Sequence, residues 1–290
     1  MVFGGLPFAY WGHVWAFHGI YIAGLSLIFG LMDVVNFAHG EFLMLAMYAT
    51  FGFVIATHLD PVLGIPLVAG LLFAVGAFAY ASIVRFAMRA KANIGMVQIF
   101  STFGLAIFLQ GAAQYFLTPD YRSIQASWFG DKTLNLAGVF LPWPQILGGL
   151  VSIAAFGALY LLIVKTDLGK ALEATREDQG AVALVGIDKN RVFAIGWGLG
   201  AALVGLAGGV LAIFYYIHPQ VGAAFGGIAY VTVALGGFGS VFGALAAGVI
   251  VGLVEAITAS ILPPALKNIG IYALYLGVLF FRPSGLFGKL

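Results

Sequence analysis

Residues 33–43 read DVVNFAHGEFL and set Asp33, Asn36, His39 and Glu41 within nine positions. Two carboxylates, an amide and an imidazole this close together can line a polar pathway, take part in proton relay, or serve as ordinary caps of a turn. Enzymatic chemistry would need a Ser–His couple or paired acids at helical spacing, and none is present unless His39 and Glu41 act together. The surroundings make the group conspicuous. The first lysine or arginine is Arg85, and few other polar residues precede it. Proton-coupled transport would favour acids and histidines repeated along several helices, a pattern missing here; His13, His18, His58 and His218 fall near expected helix ends. No metal-ligand set stands out, and the absence of cysteine removes disulfides and thiolate sites.

The elements that must position these residues follow from composition. With 62% hydrophobic residues, 8% charged residues and a mean hydropathy of +1.05, the chain cannot cover a water-soluble surface. Apolar runs at 64–84, 94–117, 145–164, 192–217, 241–262 and 269–281 approach or reach the roughly 20 residues that cross hydrocarbon as a helix, and 12–32 and 41–57 add two more. Apolar/polar alternation is absent, which argues against a membrane barrel. The expected fold is therefore all-α and polytopic, a single unit over 1–290 with about eight to ten transmembrane or partly spanning helices. Without a basic n-region, the first run is expected to be a retained helix.

On one continuous helix, Asp33, Asn36, His39 and Glu41 would spread over roughly 200° of the circumference. A break at Gly40 relieves this, so that Glu41 opens a new helix and Asn36 or His39 meets the freed backbone groups. Such a break belongs beside protein or a wet cavity. A second glycine-rich interruption occurs in LGGFGSVFGALAAGVIVG, residues 235–252, with Gly236, Gly237, Gly239 and Ser240 in the turn and a small-residue face at Gly243, Ala247 and Val251. Paired interruptions point to an internal repeat, although the two segments resemble each other only weakly.

Basic residues cluster at Arg85, Arg89 and Lys91, at Lys165, Lys170, Arg176, Lys189 and Arg191, and at Arg282 with Lys289. Short loops enriched in this way face the cytoplasm, which places the C-terminus inside. The stretch 118–143, with TPDYRSIQ and LPWPQ, reads as an external loop. Between two inner runs, KTDLGKALEATREDQGAVALVGIDKNR (165–191) forms a short amphipathic helix pair split near Gln179 and Gly180. Helices this short need a partner groove, so the pair is expected to dock onto another protein. No G-x-x-x-x-G-K-[ST] phosphate loop occurs, so energy must come from elsewhere.

Four stretches in this order, GLMDVVNFAHGEFLMLAMYATFG, TDLGKALEATREDQGAVALVGID, LGGFGSVFGALAAG and RPSGLFG, span nearly the whole chain. Together they resemble the permease subunits of branched-chain amino acid ABC importers, and most closely the one of the two paired permeases that carries an Asn-Phe-Ala-His-Gly-Glu segment. Ala46-Met47 departs from the family's usual Gly-Ala and bears on local packing. The resemblance implies an inner-membrane subunit that pairs with a second homologous permease, sits on two ATP-binding subunits and receives cargo from a periplasmic binding protein. Membrane lipid is then its surrounding and nucleic acid is no partner. This chain would bind no cofactor, ATP and Mg being held by the partner subunits.

On that footing Leu168, Gly169, Ala171, Ala181, Leu184 and Gly186 are the expected ATPase-docking residues. Asn36, Phe37, His39, Ser101, Thr102, Gln110, Gly236, Gly237, Gly239 and Ser240 are the expected pathway wall, with Gly40 and Glu41 bracing the break and Glu41 expected not to bind the substrate amine directly. Ser101 and Thr102 have an alternative use in bonding back to their own helix. Urea and short amides are alternative cargoes within related importers, and a self-contained secondary transporter is a further alternative.

Overall fold

The computed structural model describes residues 36–290 apart from 91–92, 125–126, 131, 137–138, 179, 238–240, 264–265, 267 and 288–290. The expected helix at 12–32, Asp33, and Gly239 and Ser240 of the second break lie outside the described residues.

Helix α1 spans His39–Thr57 and α2 Pro61–Ala79, the latter continuing through a π-helical stretch Tyr80–Val84 to Ala87. The turn between α1 and α2 is set by sequence: His58 takes a left-handed conformation, Asp60 caps α2 by accepting from Val62 N at 2.9 Å, and Pro61 occupies the first turn. Helix α3 follows at Ile94–Leu117, α4 at Trp143–Lys165, α5 at Asp167–Glu177, α6 at Ala181–Leu184 and α7 at Lys189–Leu211. The chain ends with α8 (Val221–Gly236), α9 (Val241–Ile261) and α10 (Ile269–Phe281). Five helices are long and apolar enough to cross a membrane, and three shorter apolar ones accompany them among the described residues.

Two differences from the sequence reading stand out. The run expected at 192–217 closes as a helix at Leu211, and Ile217 instead pairs with Arg122 of the 118–143 loop in a β-bridge. That loop also carries a hairpin, β1 (Thr133–Leu136) against β2 (Val139–Pro142), with Thr133 opposite Pro142. The loop is tied to the α1–α2 turn, because Trp128 N donates to the Asp60 carboxylate. The other end of the bundle gathers the basic positions that close α2 and α4 and open α7, and there Tyr80 and Phe193 meet edge to face at 6.2 Å.

Helix α7 forms the core, with Phe193, Trp197, Ala201, Val204 and Ala207 buried. In lipid no hydrophobic force draws helices together, so close approach of small residues takes its place. A methyl at Gly76 of α2 would fall 2.8 Å from Trp197 O, and one at Gly205 of α7 would fall 2.9 Å from Ala69 Cα. Ala46, the departure noted above, is buried with its methyl facing Gly208 of α7, where an added Cβ would approach it to 2.5 Å.

Candidate functional site

Asn36, Phe37 and Ala38 form the non-helical turn that leads into α1, where the sequence expects a break, and helix begins at His39. Gly40 is thus inside the first turn and is not the break itself. Asn36 organises the entry: its Oδ1 accepts from Ala38 N at 3.0 Å and its carbonyl accepts from His39 N at 3.1 Å. The Tyr230 hydroxyl of α8 donates to the same carbonyl. On the other side Phe37 N donates to Thr102 Oγ1 of α3 at 3.2 Å, while that hydroxyl turns back to Gln98 O at 2.9 Å. Two neighbouring helices therefore supply the partners that non-helical backbone inside a membrane protein requires.

Beside the break lies a cleft of about 310 Å³ between α1, α3 and α8. Phe37, Gly40 and Glu41 form one wall, Phe103, Ala106, Ile107 and Gln110 a second, and Gly222, Gly226 and Tyr230 a third. The Phe37 ring stacks on Tyr230 at 5.1 Å and meets Phe103 edge-on at 6.3 Å. Gly40 is where α1 and α8 touch, since a methyl there would lie 2.3 Å from Gly222 O. The cleft is nearly all apolar, with Glu41 its one charged lining residue among the described residues.

Glu41 is 6% exposed, and its Oε2 is buried with no hydrogen-bond partner among the described residues. A helix N-terminus returns about 0.3–1 kcal/mol to a nearby carboxylate, less than the several kcal/mol that burying an unpaired charge costs. The terminal amides of α1 therefore offset only part of the charge. The expected bracing role divides in two: Gly40 braces by packing, while Glu41 makes no hydrogen bond that holds the break and instead lines the cleft.

The other expected wall residues scatter. His39 and Asn36 are fully buried behind the lining. Ser101 donates to Val97 O at 2.6 Å within its own helix, and Thr102 serves the break from outside the cleft. Gly236 and Gly237 lie six and seven residues past Tyr230, about 9 Å or more along α8, and do not reach it. Their small size has another cause. A methyl at Gly236 would strike the Gly243 carbonyl at 2.5 Å, and Gly285, at φ +84°, brings the C-terminal tail against Gly237. The tail then adds Leu286 N to Leu235 O at 2.8 Å and Phe287 N to Gly236 O at 3.2 Å. The second break is a closure between α8, α9 and the tail, distinct from the cleft.

The 165–191 segment is partly packed inward. Thr166 caps α5 by accepting from Gly169 N at 3.2 Å, and Leu168, Ala171 and the buried Leu172 turn toward the bundle. Gly169 is buried rather than presented, because a Cβ there would fall 2.0 Å from Ile163 O. Asp178 closes the turn into α6, accepting from Gly180 N at 2.7 Å and Ala181 N at 3.0 Å; these two N–H donors hold its carboxyl below the ordinary range. What faces outward is Ala181, Leu184 and Val185, the last two 90% and 74% exposed, ahead of Gly186 at φ +82°.

Sequence reasoning missed α8, and with it Gly222, Gly226 and Tyr230. The Gly222-x-x-x-Gly226 spacing is a helix-packing signal that could have found it.

Residues 11–279 match the family described as "Branched-chain amino acid transport system / permease component". The high-affinity branched-chain amino acid transport system permease protein BraD of Pseudomonas aeruginosa is 32% identical over 281 residues, covering 92% of this chain and 90% of that protein. The corresponding protein LivH of Escherichia coli is 30% identical over 279 residues, covering 92% and 89%. Among solved structures, PsaBC from Streptococcus pneumoniae in complex with Fab shares the fold at TM-score 0.50 and 13% identity, covering 95% of this chain and 91% of that one. The helices of this multi-pass membrane protein and the length of these matches agree: the chain belongs to the family of permease components of branched-chain amino acid transport systems.

Proposed function

We propose that the chain is the permease subunit of an ABC importer in a bacterial inner membrane, passing branched-chain amino acids inward from a periplasmic binding protein. A second homologous permease completes the membrane unit, and two ATP-binding subunits drive it. The observation that carries this reading is the cleft beside the α1 break: apolar walls suited to an aliphatic side chain, with Glu41 and Gln110 to meet a polar head. The names of the relatives supply the cargo class.

Transport on this reading needs little binding strength in the membrane. A strong site would hold the cargo and slow its release, so the external protein supplies affinity and the cleft supplies passage. The outward-facing Leu184 and Val185 are the contact for an ATP-binding subunit, replacing the broader docking face expected from sequence. A push there acts on α5, which packs against α4 and α7; α7 in turn meets α1 where Gly208 faces Ala46. The lever from nucleotide to cleft is thus a series of packed helices within one chain.

Reconstitution of the importer in proteoliposomes with a panel of leucine, isoleucine, valine and urea tests the proposal. Uptake of the three amino acids that requires ATP and the binding protein is expected. Uptake by this chain alone would establish a self-contained transporter, and urea uptake without amino acid uptake would reassign the cargo.

A further inference from the structure

We infer that Glu41 is the group by which the cleft transiently receives the ammonium of its passing amino acid cargo, where the sequence expected it only to brace, so that this subunit, and not the external protein alone, reads the charged head. The inference rests on the importer reading above and deepens it.

The carboxylate is nine-tenths buried, lines the cleft, and has an oxygen with no partner among the described residues. No ion pair to it is found among the described residues. Burial without a cation leaves the charged form unstable until a cation arrives, and a primary ammonium brings three donors to the acceptor that lacks one. The surroundings suit the same group. Phe37 and Tyr230 stack at 5.1 Å beside Glu41, and aromatic rings favour a cation within about 6 Å of a ring face. Gln110, on the α3 wall, has amide hydrogens for the cargo carboxylate. Ala106 and Ile107 leave an apolar wall for a branched side chain. A volume of about 310 Å³ lies at the small end of ligand sites, as a single amino acid needs.

Because the chain contains no cysteine, one introduced at Ala106 reports on the cleft alone. In the assembled importer, labelling of Ala106→Cys on this subunit is followed with a cationic and an anionic methanethiosulfonate of similar size. With Glu41 present the cationic reagent should react faster by about tenfold or more, as expected for a charge lining the same poorly screened cleft. Adding Glu41→Gln should erase that ratio at unchanged complex yield. In uptake assays with leucine-loaded binding protein, Glu41→Gln should lower the maximal rate about tenfold while leaving KM for the binding protein unchanged, and Glu41→Asp should fall between.

Equal labelling by the two reagents, no labelling in any nucleotide state, or a Glu41→Gln importer with wild-type uptake would each overturn the assignment. Failure of Glu41→Gln to assemble would also overturn it, in favour of a purely structural carboxylate. Failure of the importer reading appears separately, as wild-type complex that takes up no leucine, and the labelling ratio is read without transport.

Discussion

Gly40 and Gly222 meet backbone to backbone: a methyl on Gly40 would lie 2.3 Å from Gly222 O, and a methyl on Gly222 would lie 2.4 Å from Gly40 O. Neither obstacle is a side chain that can swing aside. Gly40→Ala or Gly222→Ala should therefore force α1 and α8 apart and cost about 1–3 kcal/mol, the range for overpacking. Gly104→Ala or Gly111→Ala on α3, where an added Cβ meets nothing within 4 Å, should be neutral or stabilising. Thermal unfolding of the four purified variants in one detergent checks the contrast. Equal melting across the set would show that the α1–α8 contact is not tight.

The break should respond unequally to loss of its two external partners. Tyr230→Phe removes a donor to Asn36 O, but that carbonyl keeps His39 N at 3.1 Å, and the ring can still stack on Phe37. A loss of about 0.5–1.5 kcal/mol is expected. Thr102→Val leaves the part-buried Phe37 N with no acceptor, and stranding such a donor costs about 1–3 kcal/mol. The expected order of melting temperatures is wild type, then Tyr230→Phe, then Thr102→Val. The reverse order would mean that α8, rather than α3, holds the break.

Most of the fold was legible because hydropathy and helix length report it directly. The runs at 94–117 and 269–281 coincide with α3 and α10, and 145–164 lies within α4. Helix α8 was not legible: its sixteen residues include Gly222, Gly226, Gly227 and Thr232, and it is held by contact with α9 and α1 rather than by a long apolar run. For the site, residue types pointed to the right segment but not to the roles within it. Asn36 shapes the turn that precedes α1, its side chain accepting from Ala38 N. Glu41 looked like a helix-opening brace because a carboxylate near an N-terminus usually is one, and whether it has a partner depends on residues more than sixty positions away. Glycine spacing likewise shows that backbones approach closely without showing which ones. Gly236 and Gly237 resembled a wall, yet they receive the tail at Gly285.

Asp178 gives the α5–α6 turn a defined response to acid. N–H donation from Ala181 and Gly180 holds its carboxyl below the ordinary 3.8, so its contribution is full above that value and disappears as pH falls through the lower folded value. Amide exchange at Gly180 and Ala181, corrected for intrinsic rates, should be constant from pH 8 to 5 and should rise only in stronger acid. Asp178→Ala should show the fast exchange throughout. A transition near neutrality would assign the turn's stability to another group.

The docking segment offers the sharpest separation between folding and coupling, because Gly169 and Leu184 lie fifteen positions apart in opposite settings. Gly169 is pressed against its own chain, 2.0 Å from Ile163 O for an added Cβ, whereas Leu184 is 90% exposed. Gly169→Leu should therefore lower the yield of the subunit itself, before any partner is involved. Leu184→Asp removes nothing that the isolated subunit buries, so its yield and melting should match wild type. If Leu184 enters a groove on an ATP-binding subunit, the loss is the burial of one leucine, about 1.5–3 kcal/mol. Each 1.4 kcal/mol is tenfold in affinity, so retention of the ATPase should fall by about one to two orders of magnitude, with ATPase stimulation by loaded binding protein falling with it. Val185→Asp should behave in the same way. Wild-type stimulation in Leu184→Asp would remove α6 from the docking surface, and loss of subunit yield in that variant would place Leu184 in the fold.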